Sequence, residues 1–263
     1  MAVIFSADSG SGYDLWITDG TAAGTQLLKD TEVLGVLGNQ GEYDVGRFLP
    51  FGSGVYFIAS DPVMGSDPWF TDGTVAGTSK LLDMPYMQDV FSLQSAGDHL
   101  YFVVLTSVGV SPNFDYTYSL WASDGTSAQT KKLADLDVTT QADSFASIGN
   151  NLLFTVTNGV MPNQLWISDG TAAGTKMLRD FTGDGGGGVA SLARLGDEVI
   201  FGGYDGILYN TLWKTDGTAA GTVEVDGTAV APKDFTALGD SLVFSARSSS
   251  TLRQLWITDG TDA

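Results

Sequence analysis

The stretch Leu15-Trp16-Ile17-Thr18-Asp19-Gly20-Thr21 decides the fold, because close copies of it recur along the chain. The other copies end at Thr74, Thr126, Thr171, Thr218 and Thr261. Each copy contains one of the six tryptophans, and successive tryptophans are 43 to 53 residues apart. A repeat of about 40 to 50 residues made of short strands is typical of a β-propeller.

Composition agrees with an all-β chain of many short strands. Of the 263 residues, 34 are glycine, 43% are hydrophobic and only 16% are charged. These values are typical of strands that surround a sizeable core and are joined by tight turns. Because the repeat runs from end to end, we predict a single β-propeller domain over residues 1–263.

The charge balance excludes two classes of partner. The net charge is −19, with only 12 lysines and arginines in the chain. Nucleic acids and anionic membrane surfaces both require clustered basic residues. No apolar run reaches the length of a membrane span. We therefore expect no nucleic-acid partner and no membrane insertion. In addition, the first residues do not resemble a signal peptide.

The third copy of the repeat predicts four antiparallel strands in each unit. The apolar and β-branched runs place these strands at residues 90–93, 99–104, 118–123 and 130–134. Similar runs surround the other copies of the motif. Four antiparallel strands are the usual content of one propeller blade.

The Asp-Gly-Thr segment predicts a hairpin turn. Its aspartate accepts hydrogen bonds from nearby backbone N–H groups, and its glycine adopts a positive φ. We interpret six aspartates as structural turn residues: Asp19, Asp72, Asp124, Asp169, Asp216 and Asp259. The preceding tryptophan is large enough to fill the space between adjacent blades. Six tryptophans are therefore assigned to the core: Trp16, Trp69, Trp121, Trp166, Trp213 and Trp256.

The repeat resembles the bacterial ELWxxDGT-repeat family. The family pattern is Glu-Leu-Trp-x-x-Asp-Gly-Thr-x-x-Gly-Thr, and residues 14–25 match it with aspartate in place of the leading glutamate. Residues 164–175 and 211–222 match nearly as well, whereas Pro68 and Gln129 depart from the pattern. The resemblance implies a β-propeller in secreted or surface proteins of bacteria, and it implies no catalytic residue.

The strand plan leaves two ways to close the propeller. The chain begins in a second-strand segment and ends just after a third-strand segment, so the terminal units each lack one strand. We favour six blades. In the alternative, residues 234–238 join the amino-terminal strands in a fifth blade and leave a spare hairpin at 241–258. A spare apolar hairpin is an exposed edge, which is unfavourable.

The irregular loops between second and third strands are the predicted binding surface, because binding residues concentrate on variable loops. They combine tyrosine with acidic or amide groups, a combination suited to sugar recognition. The predicted ligand-binding residues are Tyr13, Asp14, Asp67, Tyr116, Tyr204, Asp205, Tyr209 and Asn210. Carboxylates are also the ligands that Ca²⁺ prefers. The candidate calcium ligands are Asp8, Asp14, Asp61 and Asp67.

Catalytic residues are not evident from the sequence. His99 is the only histidine, cysteine is absent, and no triad or zinc set is apparent. We therefore predict a non-enzymatic, extracellular or cell-surface propeller that binds a glycan or protein ligand and requires no cofactor. One alternative is a structural building block that self-associates through its unmatched terminal strands. The other is a polysaccharide hydrolase or lyase acting through paired carboxylates.

Overall fold

The structure is a computed structural model of the whole chain. It describes residues 2–8, 13–30, 48–61, 65–85, 88–110, 113–136, 144–157, 162–181, 188–204, 210–248 and 252–261. These residues form antiparallel β-sheets and one short 3-10 turn. The chain divides into two compact units, Met1–Asp135 and Leu136–Ala263.

The first unit contains three sheets, numbered here in chain order. Sheet 1 consists of β1 (Val3–Asp8), β2 (Tyr13–Thr18) and β3 (Gln26–Lys29). Sheet 2 consists of β4 (Leu49–Phe51), β5 (Gly54–Asp61), β6 (Gly65–Thr71) and β7 (Ser79–Lys80). Sheet 3 consists of β8 (Gln88–Ala96), β9 (His99–Val110), β10 (Asn113–Ser123) and β11 (Lys131–Leu136).

The second unit also contains three sheets. Sheet 4 consists of β12 (Phe145–Ile148), β13 (Asn151–Thr157), β14 (Pro162–Ser168) and β15 (Lys176–Asp180). Sheet 5 consists of β16 (Val189–Leu195), β17 (Glu198–Tyr204), β18 (Asn210–Thr215) and β19 (Val223–Asp226). Sheet 6 consists of β20 (Val230–Leu238), β21 (Ser241–Arg247) and β22 (Arg253–Thr258).

The motif holds the same place in every sheet. Its tryptophan lies on the strand that follows the most apolar strand, and each Asp-Gly-Thr turn follows directly. Within the described residues, sheet 1 has the second to fourth strands of the repeat and sheet 6 has the first to third. Residues 234–238, which the five-blade alternative assigns to the amino-terminal strands, belong to β20 and pair with β21.

The core of each unit is built where neighbouring sheets pack face to face. The second strand of the repeat carries a phenylalanine that is almost completely buried in five sheets: Phe57, Phe102, Phe154, Phe201 and Phe244. In β13 and β17 the burial continues along successive residues, as in a strand that is covered on both faces. In unit 2, one hydrophobic cluster joins Leu165 and Leu178 of sheet 4 to Phe201 and Trp213 of sheet 5.

The hairpins are longer than the sequence predicts. The sequence predicts strands at 99–104 and 118–123 in the third sheet, but β9 extends to Val110 and β10 begins at Asn113, which pairs with Val110. The strand extends because Thr117, Tyr118 and the residues before them continue the hydrogen-bonded ladder, and β-branched and aromatic residues favour it.

In the described part of the chain, no helix is long and apolar enough to cross a membrane.

Candidate functional site

The Asp-Gly-Thr turn is closed by a network of side-chain hydrogen bonds. In sheet 5, Asp216 Oδ1 accepts hydrogen bonds from the Thr218 backbone N–H at 2.8 Å and from the Thr218 hydroxyl at 2.7 Å. Thr218 Oγ1 in turn accepts a hydrogen bond from the Gly221 N–H at 2.9 Å. Gly217 has a φ of 89°, a conformation that glycine adopts without strain. These bonds link the aspartate, the threonine and the second glycine of the turn.

The two hydrogen bonds from threonine to aspartate recur in the other five copies of the turn. The bond from the second glycine recurs in the first, second and fourth copies. Hydrogen bonds from the threonine lower the pKa values of four of these aspartates below the usual aspartate range: Asp19, Asp72, Asp216 and Asp259. A carboxylate that accepts two hydrogen bonds is stabilised in its charged form. These carboxylates therefore hold the turn in shape.

The third copy departs from this geometry at Gln129. In the glycine copies, the Cβ atom of a larger residue at this position would overlap the turn carboxylate, as at Gly221 beside Asp216. In the third copy, residues Ser127–Gln129 form a 3-10 turn, and the Gln129 N–H donates to the Thr126 carbonyl at 3.3 Å. The backbone thus rearranges where glycine is missing.

The residue two positions before the tryptophan supports the indole ring in three copies. The indole N–H of Trp121 donates to Ser119, that of Trp166 to Gln164 and that of Trp213 to Thr211, at 3.0 to 3.1 Å. Two predicted ligand residues, Asp14 and Asp67, occupy this same position in sheets 1 and 2. Both aspartates are buried.

Asp67 is engaged inside its own sheet. Its carboxylate contacts the Lys80 ammonium at 2.7 Å and accepts a hydrogen bond from the Met84 backbone N–H at 2.7 Å. Burial raises the pKa of Asp67 above its usual value, and the bonds from Lys80 and Met84 partly counteract this rise. Both oxygens of Asp67 therefore have partners within the protein.

The other predicted ligand residues lie in different environments. Tyr204 is buried in the core of unit 2, and Asn210 accepts a hydrogen bond from the Gly188 N–H at 3.3 Å. Tyr116 is 54% exposed on β10. Asp205 and Tyr209 lie outside the described residues. Tyr13, Asp8 and Asp61 lie at strand ends, where Asp8 pairs with Tyr13 and Asp61 with Gly65.

The predicted residues that the structure describes are distributed over several sheets. Asp8 and Asp14 belong to sheet 1, Asp61 and Asp67 to sheet 2, and Tyr204 to sheet 5. Among the residues that the structure describes, no three histidine, cysteine, aspartate or glutamate side chains are grouped as metal ligands would be. His99 begins β9, with its ring 6.1 Å from the Tyr101 ring.

A cavity of about 350 Å³ lies between sheets 5 and 6. Its lining combines apolar side chains with hydroxyl and carboxylate groups, among them Val225, Phe244, Trp256, Thr258, Asp226 and Asp259. Trp256 stacks on Phe244, with ring centroids 6.4 Å apart, and forms an aromatic wall. An apolar pocket with a few convergent polar groups is the usual form of a small-ligand site.

The two carboxylates of this cavity, Asp226 and Asp259, are hydrogen-bond acceptors. Asp226 Oδ1 accepts hydrogen bonds from the Thr228 N–H and hydroxyl, and Asp259 Oδ1 accepts the equivalent pair from Thr261. The hydrogen bonds from Thr261 lower the pKa of Asp259, so this carboxylate is ionised at neutral pH. Of the lining residues described, none is a lysine or arginine. The cavity is therefore suited to a partly apolar group that carries positive charge or donates hydrogen bonds.

The cavity is not apparent from the sequence. Trp256 and Asp259 were assigned purely structural roles, and Asp226 was not singled out. An alignment of the repeats gives one indication of it, because Asp226 occupies a position that holds Lys29 in the first copy and Arg179 in the fourth. The cavity itself depends on how two sheets pack, which the motif does not encode.

Comparisons with known proteins give fold relatives and no sequence family. No family model and no curated protein matches the chain. Among solved structures, the chain matches a prolyl endopeptidase with a TM-score of 0.54 and 13% identity, over 100% of this chain and 40% of that one. It matches an oligogalacturonate lyase in complex with manganese with a TM-score of 0.54 and 8% identity, over 98% of this chain and 71% of that one.

A third match is the β-propeller domain of the trilobed protease from Pyrococcus furiosus. The TM-score is 0.47 and the identity 14%, over 98% of this chain and 77% of that one. The repeated four-stranded antiparallel sheets and the two likenesses with a TM-score of 0.54 confirm the predicted fold class, an all-β propeller. At identities of 8 to 14%, structural likenesses show the fold alone.

The comparisons contradict the predicted non-enzymatic function. The prolyl endopeptidase and the oligogalacturonate lyase are enzymes that match this chain over almost its whole length. The sequence argument relied on finding no catalytic set within the chain. This chain spans 40% of the prolyl endopeptidase that it matches. The assignments as a non-enzymatic glycan-binding scaffold and as a self-assembling building block are withdrawn.

Proposed function

We propose that this chain is the substrate-binding propeller of a peptide-cleaving enzyme. In this proposal, the cavity between sheets 5 and 6 accepts one side chain of the peptide, and the chain as a whole selects which peptides are held. The single observation that carries the proposal is that cavity, with its aromatic wall and its two carboxylates.

The dimensions of the cavity support binding of a side chain. Its volume of about 350 Å³ lies at the lower end of the range of small-ligand pockets. The apolar lining from Val225, Phe244 and Trp256 suits the methylene part of a side chain. The hydroxyl and carboxylate groups at Thr258, Asp226 and Asp259 offer hydrogen bonds to its polar end.

Charge favours a peptide over the acidic sugar polymer that one structural neighbour cleaves. Oligogalacturonate carries a carboxylate on every sugar, whereas this chain has a net charge of −19. Like charges slow association and weaken binding. Peptides include neutral and basic sequences that do not meet this repulsion, and the prolyl endopeptidase matches the entire chain.

The catalytic groups are assigned by this proposal to a part of the enzyme beyond the propeller. The prolyl endopeptidase chain is more than twice as long as the portion that this chain covers. In the described residues, His99 is remote in sequence from the cavity and begins a strand of unit 1, whereas the cavity belongs to unit 2. Substrate binding and bond cleavage are therefore measured separately.

The test is a binding and cleavage assay with a library of labelled peptides. Fluorescence polarisation reports binding, and mass spectrometry of the same mixtures reports cleavage. Labelled oligogalacturonides of similar length are the comparison. Peptide binding with no oligogalacturonide binding is expected. Failure to bind or cleave any peptide, or a preference for the acidic sugars, would overturn the proposal.

A further inference from the structure

In sheets 1, 4 and 5, one position of the repeat lies opposite the leucine of the Leu-Trp pair. On the fourth strand, Lys29 pairs with Leu15 in sheet 1, Arg179 with Leu165 in sheet 4, and Asp226 with Leu212 in sheet 5. All three residues follow the closing threonine of the motif by four positions. They can therefore be compared directly.

In two of these sheets, the residue places a cation over the tryptophan of the following sheet. The Arg179 guanidinium lies 4.3 Å from the centroid of the Trp213 ring and 5.2 Å from that of Phe181. Arg179 also donates a hydrogen bond to the Thr222 carbonyl at 3.4 Å. The Lys29 ammonium lies 5.9 Å from the centroid of the Trp69 ring. The face of an indole ring attracts such cations.

Sheet 5 reverses the charge at this position. Asp226 stands where Arg179 stands in sheet 4 and Lys29 in sheet 1, and the following tryptophan is Trp256. Residues equivalent to Arg179 and Phe181, which cover Trp213, are here Asp226 and Thr228, both much smaller. The cavity between sheets 5 and 6 lies at this place, lined by Asp226 and Trp256. Sheet 6 thus has the tryptophan ring, Trp256, but the cation that would lie over it is replaced by a hydrogen-bond acceptor, Asp226.

We propose that this cavity binds the guanidinium or alkylammonium group of a basic side chain, arginine above all. The inference rests on the proposed function, in which the cavity holds a side chain of a peptide substrate, and it names the chemical class of that side chain. The ligand's cation takes the place over Trp256 that Arg179 takes over Trp213. Asp226 and Asp259 accept its hydrogen bonds, and the methylene groups contact Val225 and Phe244.

The lining is prepared to accept such a group. The Thr228 and Thr261 hydrogen bonds all go to Oδ1 of Asp226 and Asp259, which leaves each Oδ2 oxygen to accept from a ligand. Hydrogen bonds between a guanidinium and a carboxylate are charge-assisted and stronger than neutral ones. Arginine suits the site better than lysine because its planar group stacks on an indole while donating at its edge.

The test is isothermal titration of the full chain with L-argininamide and with L-citrullinamide. Citrulline has nearly the shape of arginine, but its ureido group is uncharged. Saturable binding of argininamide, and binding of citrullinamide weaker by about tenfold or more, is the expected result. Equal affinities for the two probes, or no binding of either, would overturn the inference.

Three variants locate the site. Asp226→Asn is expected to weaken argininamide binding by about tenfold, because one charged acceptor is lost. Glu224→Gln is the matched control, since it removes the same charge from an exposed residue of the same strand that does not line the cavity. Asp226→Arg is expected to fill the cavity from within, as Arg179 does in sheet 4, so that the melting temperature rises and argininamide binding disappears.

The outcomes separate this inference from the proposed function. If the chain binds argininamide as described but neither binds nor cleaves any peptide, the cation site stands and the peptide-cleaving assignment fails. If peptides are bound or cleaved without any preference for basic residues, and Asp226→Asn binds argininamide as the unchanged chain does, the cation site fails. Equal losses in Asp226→Asn and Glu224→Gln would show that general charge attraction is at work, which also overturns it.

Discussion

At the scale of single residues, the second glycine of the repeat is dictated by the turn aspartate. The Asp216 carboxylate lies over the Cα atom of Gly221, in the space that a Cβ atom would need. The same close approach occurs between Asp19 and Gly24 in the first copy. The motif therefore extends to Asp-Gly-Thr-x-x-Gly because a carboxylate and a methyl group cannot occupy one place.

We predict that Gly221→Ala destabilises the protein by about 1 to 3 kcal/mol, as overpacking of a fixed structure does. Gln129→Ala is the control, because the turn around residue 129 has already rearranged to accept a side chain. It is expected to change stability by less than about 0.5 kcal/mol. Urea unfolding followed by tryptophan fluorescence measures both. Equal effects of the two substitutions would refute the explanation.

A second prediction at this scale concerns acid unfolding. The pKa of Asp216 is lower in the folded protein than its usual value, because Thr218 donates two hydrogen bonds to the carboxylate. The ionised form is thus favoured by folding. Its stabilising effect is complete above the unfolded pKa of about 3.9 and is lost as pH falls through the folded pKa.

Stability should therefore decrease between about pH 5 and pH 3, and Asp216→Asn should make the decrease smaller. Asparagine keeps the acceptor oxygen but does not titrate in this range. Thr218→Val, which removes one donor, should also flatten the pH dependence. Urea unfolding at several pH values provides the measurement, and an unchanged slope in Asp216→Asn would contradict the assignment.

At the scale of elements, neighbouring sheets are joined by more than apolar packing. Arg179 on β15 lies over Trp213 on β18, and Phe181 contacts the edge of the same ring with centroids 5.1 Å apart. The stem and the charge of the arginine both contribute to this contact. A cation between two sheets is thus one of the devices that fix how the sheets of unit 2 pack.

We predict that Arg179→Met lowers the free energy of unfolding by about 1 kcal/mol, since methionine keeps an apolar stem but has no charge to place over the ring. Arg179→Lys should lose less, because an ammonium still interacts with the indole face. Lys176→Met is the control, as Lys176 is an exposed cation on the same strand. Thermal and urea unfolding would show a similar loss in both methionine variants if the ring contact had no effect.

At the scale of the whole molecule, the leucine of the motif is buried in some sheets and exposed in sheet 6. Leu15, Leu120, Leu165 and Leu212 are almost completely buried against neighbouring residues, whereas Leu255 in sheet 6 is 80% exposed. Ile257, two residues further along β22, is 64% exposed. The difference follows from position, because Leu165 packs against sheet 5 within one hydrophobic cluster and Leu255 belongs to no described cluster.

This contrast predicts unequal effects of the same substitution. Leu165→Ala should cost about 2 to 5 kcal/mol, the usual range for leucine truncation in a core. Leu255→Ala should change stability by less than about 0.5 kcal/mol, since it removes little buried surface. Urea unfolding of both variants is the measurement. A large loss in Leu255→Ala would show that this face of β22 is covered in solution.

The sequence by itself determined the repeat, the strand class and the turns. The Leu-Trp pair, the Asp-Gly-Thr turn and the apolar second strand act over a few residues, so their pattern predicts each sheet and its hairpins. The same local pattern does not fix where a strand ends, which is why the sequence predicts a strand at 118–123 although β10 begins at Asn113. Strand length depends on the pairing partner as well as on local preference.

Only the tertiary structure decided the environment of equivalent residues. It buried Asp67 beside Lys80, placed Tyr204 in a core, and exposed Leu255. It also left a cavity at Trp256 where the equivalent ring, Trp213, is covered by Arg179. These differences arise between sheets, from which side chain the next sheet presents. A repeat makes neighbouring positions look equal in sequence, and packing makes them unequal.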